Sequence, residues 1–232
     1  MKKLKTTFIL LIIFFASCEK KLSELDFEKN VMTEIFPVLV DSICVDCRIM
    51  IPPPKIGESI FNKEGRYVRT DTTKATKEEK IEFDKWKNNR IAIEKDTSKV
   101  IVAFAPTLRK IRESVKGDFE KHFQNSKLYE PKNEVVTEYN FEFQNIKLNN
   151  KFVLKNLNDF PKERGEIWTT KYNFIFSGVL DFTRIQFDEN KIYGILDAGF
   201  GCGSKFGQGF RIYIKKQNNK WKIDKIEPTW IS

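Results

Sequence analysis

The sequence predicts an α+β fold, with N-terminal helices packed on a mainly antiparallel C-terminal β-meander. Three observations carry that expectation. Over Phe27–Ile43 the apolar residues Val31, Met32, Ile35, Phe36, Leu39, Val40 and Ile43 recur at helical spacing. From about Phe141 the apolar period shortens to two, the period of a half-buried strand. Asp188-Glu189-Asn190 and Gln217-Asn218-Asn219 then supply turn chemistry between strand-like runs, so those runs read as hairpins. An apolar content of 41% and a charged content of 31% are those of a folded globular chain. We expect a single domain over 27–232, helical to about residue 123 and β-rich from about residue 141.

Taken in order, Asp26 is placed to cap the first helix, and Pro37 should kink or break it by removing a hydrogen bond. Arg48–Lys55 contains three consecutive prolines, Pro52 to Pro54, and reads as an extended connector. Ser59–Lys74 is polar and reads as a loop with a turn at Lys63-Glu64-Gly65. Thr76-Lys77-Glu78-Glu79 is a capping box. The helix it opens runs through Ile81, Phe83, Trp86 and Ile93 to about Glu94. Val100–Ala105 is short, apolar and β-branched, as in a strand covered on both faces, and Pro106 ends it. Thr107–Val115 and Asp118–Phe123 read as short helices, and Ser126–Tyr139 as polar loop.

The strand candidates are Lys151–Leu154, Glu166–Thr169, Tyr172–Phe176, Val179–Phe187, Lys191–Gly199, Phe210–Lys216 and Lys220–Ile226. In the sixth, Phe210, Ile212 and Ile214 alternate with Arg211, Tyr213 and Lys215, which predicts one buried and one wet face. Gly199–Gly209 is dense in glycine and leads into a strand rather than a helix, so it reads as a wide hairpin loop and not a phosphate cradle.

The first residues read as an export signal. Lys2, Lys3 and Lys5 precede the apolar run Phe8–Phe15, which is far shorter than the roughly 18–20 residues that span a bilayer. Ala16 and Ser17 then precede Cys18. This ending resembles the lipobox of bacterial lipoprotein signals, with Phe15 where that pattern usually has Leu. The resemblance implies a signal peptide over 1–17, lipidation of Cys18 and a tether over 18–26. It also implies a lipid-anchored place in the cell envelope, at the outer membrane. The net charge is +9, of which Lys2, Lys3 and Lys5 would leave with the signal. The remaining bases are interspersed with acids and form no block with interleaved aromatics, so no nucleic-acid partner is expected. The expected partners are the membrane, through the lipid, and a protein or glycan.

With Cys18 lipidated, three thiols remain in an oxidising compartment: Cys44, Cys47 and Cys202. Cys44-Val45-Asp46-Cys47 is a CxxC, but it follows a helical pattern and precedes a proline-rich connector, the wrong setting for a redox pair. We expect a disulfide from Cys202 to Cys44 or to Cys47. The single histidine, His122, leaves no metal-ligand set, and neither a metal nor a cofactor is expected.

Three short motifs begin between Val179 and Trp221: Phe182-Thr183-Arg184-Ile185, then Cys202, Gly203, Gly207 and Gly209, then Lys220, Trp221 and Ile223. Together they resemble the C-terminal part of uncharacterised Bacteroidota lipoproteins. Phe206 stands where that pattern has a second cysteine, which leaves Cys202 without its local partner. The resemblance implies an exported lipoprotein and supplies no activity. For chemistry, Glu166, Asp181 and Asp197 fall on expected strands and are the candidate acid/base carboxylates. Trp168, Tyr172, Tyr193, Tyr213, Trp221 and Trp230 are aromatics able to line a sugar-binding face. The expectation is a non-catalytic binding or accessory module. The alternatives are a small glycan-directed hydrolase using the strand carboxylates, and a thiol redox protein through Cys44 and Cys47.

Overall fold

The computed structural model describes residues 23–111, 114–130, 137–148, 151–163 and 165–232. The expected signal and Cys18 lie outside the described residues. The chain is α+β, as the two apolar periods predicted.

Helix α1 (Glu24–Ile43) begins earlier than expected, inside the segment read as a tether. Ser23 is its cap, the Oγ accepting from the Asp26 N–H at 3.0 Å, while Asp26 itself only accepts from the Ser23 hydroxyl. Pro37 neither ends nor interrupts the helix. Phe36, Leu39 and Val40, around that proline, are all fully buried. Packing of that stripe outweighs the roughly 3 kcal/mol that an interior proline costs.

After α1, a single 3-10 turn (Cys47–Met50) leads to a hairpin of β1 (Glu58–Phe61) and β2 (Tyr67–Asp71). This corrects the expected loop, although the turn is where it was read: Gly65 has φ +73°. The strands are short and exposed, so polar composition hid them. Helix α2 (Lys77–Lys95) opens on the capping box of Thr76 and Glu79.

The main sheet holds β3 (Val100–Phe104), β6 (Phe152–Asn156), β7 (Ile175–Phe182), β9 (Tyr193–Gly203), β10 (Phe206–Gln217) and β11 (Lys220–Ile231). Its order is β11-β10-β9-β7-β3-β6, with the two-residue β8 (Gln186–Phe187) also paired to β9. The meander from β7 to β11 is antiparallel. The sheet as a whole is mixed, because β3 runs parallel to both β6 and β7. All five β3 residues are buried, the composition that a parallel strand covered on both faces requires. Thr107–Arg109 is a strand, β4, not a helix, and it pairs with β5 (Glu138–Asn140) from the expected loop. That partner is about thirty residues away, so no local pattern announces it.

Two hairpin turns fall where turn residues predicted them. Asn218 and Asn219 both take positive φ between Gln217 and Lys220, as a two-residue primed turn demands. Buried Asp188 caps its own turn by accepting from the Ile192 and Tyr193 N–H groups, each at 2.7 Å. The glycine-rich stretch differs from expectation. Strand β9 continues to Gly203 and β10 resumes at Phe206, so only Ser204 and Lys205 turn, and the glycines are sheet residues.

The inner face of the sheet packs on α1, with Phe36 against Phe104, Phe141 and Phe182. Buried Glu28 crosses this interface, accepting from the Arg184 guanidinium at 2.7 Å and the Ile185 N–H at 2.9 Å. The outer face is covered in two places. Helix α3 (Lys116–His122) lays Phe119, with Phe123 just beyond its end, against Ile195 and Tyr213, so Tyr213 is buried rather than wet. Farther along, Phe160 and Ile167 cover Ile101 and Ala103. Ile167 belongs to a short helix, α4 (Glu166–Thr169), where a strand was expected.

Cys47 and Cys202 form a disulfide, joining the turn after α1 to β9 across a sequence separation of 155. Asp46, one residue earlier, is buried and accepts from Arg48 at 2.7 Å and Lys151 at 2.8 Å. Ser177 of β7 clasps the same segment, donating to the Val45 carbonyl and accepting from the Cys47 N–H.

Candidate functional site

Between its two covered patches, the outer face carries glycines in register on neighbouring strands. Gly199 pairs with Gly209 and Gly201 with Gly207. Glycine weakens a strand interior, so its repetition marks places where something must approach the backbone closely. Here two side chains do. A Cβ on Gly209 would lie 2.0 Å from Trp230 Nε1, and one on Gly207 would lie 3.0 Å from the far ring of the same indole. The Trp230 indole therefore lies along β10 over both glycines, with 51% of the residue exposed. On the other side, a Cβ on Gly199 would lie 2.6 Å from Asp181 Oδ2, so the carboxyl of β7 leans across β9. Cross-strand partners such as Gly199 and Gly209 sit about 5 Å apart. A hydrogen-bond acceptor and a donor thus stand over adjacent glycines. Neither the Asp181 carboxyl nor the Trp230 N–H has a hydrogen-bond partner among the described residues.

The next row along the same face is charged and paired. Arg211 on β10 faces Asp197 on β9 and binds it bidentately, at 3.0 and 3.1 Å, while its third nitrogen meets Asp118 of α3. Thr183 fixes Asp197 in turn: the Asp197 N–H donates to Thr183 Oγ1 at 2.8 Å. These residues border a cleft of about 810 Å³ lined by Asp181, Asp197, Arg211 and Trp230, with Pro106 and Arg109 on the β4 side.

The two aspartates have different environments. Burial pushes the Asp181 carboxyl above the usual carboxylate range. The residue is exposed across the cleft, so the protein atoms beneath and beside it act on one side of the carboxyl only. Asp197 has both oxygens engaged by Arg211.

Of the three carboxylates expected to converge, Asp181 and Asp197 share this cleft and Glu166 does not. Glu166 sits exposed on α4 and does not line the cleft. Glu-Ile-Trp-Thr alternates like a strand yet folds as one helical turn. Of the expected aromatics, Trp230 lines the cleft, whereas Tyr213 and Trp221 are buried in the two clusters flanking the sheet. In the sequence Arg211 is marked only by its place on the wet face of a strand. The overlooked signal is the spacing Gly199-x-Gly201 and Gly207-x-Gly209, which becomes a facing pair once the turn is put at Ser204-Lys205.

The thiols are arranged against reactivity. Cys47 is spent in the disulfide, and the disulfide partner of Cys202 is therefore Cys47 and not Cys44. Cys44 is free but buried just beyond the C-terminus of α1, and burial, reinforced by Asp41, drives its thiol upward. Among the described residues no cluster of three or more His, Cys, Asp or Glu side chains is arranged to hold a metal, and no helix is long and apolar enough to cross a membrane.

Neither a family model, nor a curated protein, nor a solved structure matches this chain.

Proposed function

We propose that this is an exported envelope protein, anchored by lipid at Cys18, that binds a ligand in the outer-face cleft without transforming it. The anchor rests on the basic start, the short apolar run and the Ala16-Ser17-Cys18 ending. The binding reading rests on one observation: an unpartnered acceptor and an unpartnered donor stand over adjacent glycines beside a half-exposed indole. Polar groups held this way are completed by a ligand or by solvent, and a concave site with a few convergent polar groups is the usual form of a ligand pocket. Ligand screening by NMR with a fragment library tests this. Hits that shift the Trp230 indole N–H signal and fade in Trp230→Ala are expected. A library that perturbs nothing in the cleft overturns the reading. For the anchor, metabolic labelling with palmitate should be lost in Cys18→Ala, and unchanged labelling refutes it.

A second reading has one observation in its favour. Asp181, with its elevated carboxyl, shares the cleft with a second carboxylate, the arrangement a glycan hydrolase uses. The bidentate hold of Arg211 on Asp197 leaves no ready base to activate water, so binding is preferred. Release of reducing ends from a bound glycan, abolished by Asp181→Asn, would reverse that preference.

A further inference from the structure

We infer that the ligand of the cleft is a neutral oligosaccharide, with one sugar unit seated on the exposed face of Trp230 and a hydroxyl of the next unit held between Asp181 and the indole N–H. The inference rests on the reading of the cleft as a ligand site, and it adds the chemical class.

The gap over Gly199 and Gly209 offers an acceptor on one side and a donor on the other. A hydroxyl donates and accepts through a single oxygen, which suits one gap flanked by both. A carbonyl or a phosphate oxygen satisfies only the N–H, and an ammonium satisfies only the carboxylate. The indole beside the gap presents an apolar ring face, which suits the C–H face of a pyranose while the hydroxyls point outward to polar groups. That combination of one aromatic platform and in-plane polar partners fits a sugar better than a lipid, because Asp181, Asp197 and Arg211 share the lining.

Charge argues against an anionic ligand. No cation pairs with Asp181 among the described residues, so it would repel a phosphate or uronate. Of the three cations in the lining, Arg211 is already divided between Asp197 and Asp118, Arg109 is paired with Glu138 at 3.0 Å, and Lys110 shares the lining with both Asp181 and Asp197. A cleft of about 810 Å³ lies within the range of sites that hold ligands of several rings.

Calorimetric titration of the chain from residue 19 onward, which keeps every described residue, tests the inference. The probes are cello-, xylo-, manno- and chitohexaose, with adenosine as a flat aromatic control and inorganic phosphate as an anionic one. At least one hexaose should bind. Trp230→Ala should weaken it ten-fold or more, and Trp230→Phe, which keeps a ring and loses the N–H, by less. Asp181→Asn should weaken it about ten-fold. Thermal unfolding of each variant separates a lost site from a lost fold, and a folded Trp230→Ala that binds as wild type overturns the inference. Adenosine or phosphate binding without any hexaose overturns the saccharide class while leaving the cleft a ligand site. If neither these probes nor any fragment engages the cleft, both readings fall together.

Discussion

Helices α1 and α2 are nearly equal in length, at 20 and 19 residues, and they relate to the rest of the molecule in opposite ways. Helix α1 buries eight residues, including Glu28, and forms the floor on which the sheet rests. Helix α2 buries only Ile93. It is held by polar contacts to its own neighbourhood: Trp86 Nε1 donates to the Ile51 carbonyl at 2.9 Å, and Glu79 accepts from the Gly57 N–H at 3.1 Å. The better-formed start belongs to the weaker partner, since α2 has the full capping box and α1 a single cap. Caps set where a helix begins, at roughly 1 kcal/mol each, while an apolar stripe decides whether it joins the core. The segment carrying β1, β2 and α2 is thus a peripheral arm. The α1–sheet half carries the cleft and both ends of the disulfide, since Cys47 and Cys202 pack on the same core.

The largest expected effect is in the core of that half. Phe36→Ala should cost about 3–5 kcal/mol in urea unfolding, because the ring is fully buried among Phe104, Phe141 and Phe182. Phe83→Ala in α2 should cost about 1 kcal/mol or less, since that ring is only half-buried. Equal losses would show that the arm belongs to the same cooperative core.

Next comes the disulfide. Cys202→Ser should lower stability by about 2–4 kcal/mol, given how much chain the bridge closes. Hydrogen exchange should then rise around Cys47 and along β9 while α2 is little changed. Uniform acceleration of exchange through α2 would contradict the division between arm and core.

The smallest expected effect concerns pH. The Asp181 carboxyl is raised in the folded state, so between its unfolded and folded values the native chain holds the extra proton. Wild-type stability should therefore fall as pH rises through that window and then level off. Asp181→Asn should remove this component and be at least as stable as wild type at pH 7. A variant less stable than wild type at neutral pH would show that the charged form is compensated in the fold. Asp46 has the opposite sign. Burial works to raise its carboxyl, but hydrogen bonds from Arg48 and Lys151 outweigh this and hold it low, so its contribution is lost as pH falls.

The segments Phe182–Ile185 and Lys220–Ile223 take on physical content in the folded chain. Phe182 and Ile185 are core residues, Thr183 holds the β7–β9 register, and Arg184 meets Glu28 of α1. Trp221 packs on Phe187 and gives its backbone N–H to Glu34, which ties the last hairpin to the same helix. These residues serve the α1–sheet joint, and Asp181 and Trp230, which define the cleft, lie outside both segments. Cys202 finds its disulfide partner in distant Cys47 rather than within its own loop.

The sequence by itself determined what depends on neighbours in the chain. The stripe of α1, the capping box at Thr76, the buried run Val100–Phe104 and the asparagine turn at 218–219 each follow from residues within one or two turns of one another. Tertiary structure decided what depends on distant partners. It carried α1 through Pro37, set β3 parallel between β6 and β7, paired β4 with β5, and chose Cys47 over Cys44. It also made the cleft. Asp181 and Trp230 come from strands separated by two others, and they border one gap only because Gly199 and Gly209 between them have no side chains. Local preference is written in spacing, but a site of this kind arises where strand register brings bare backbone under two remote side chains.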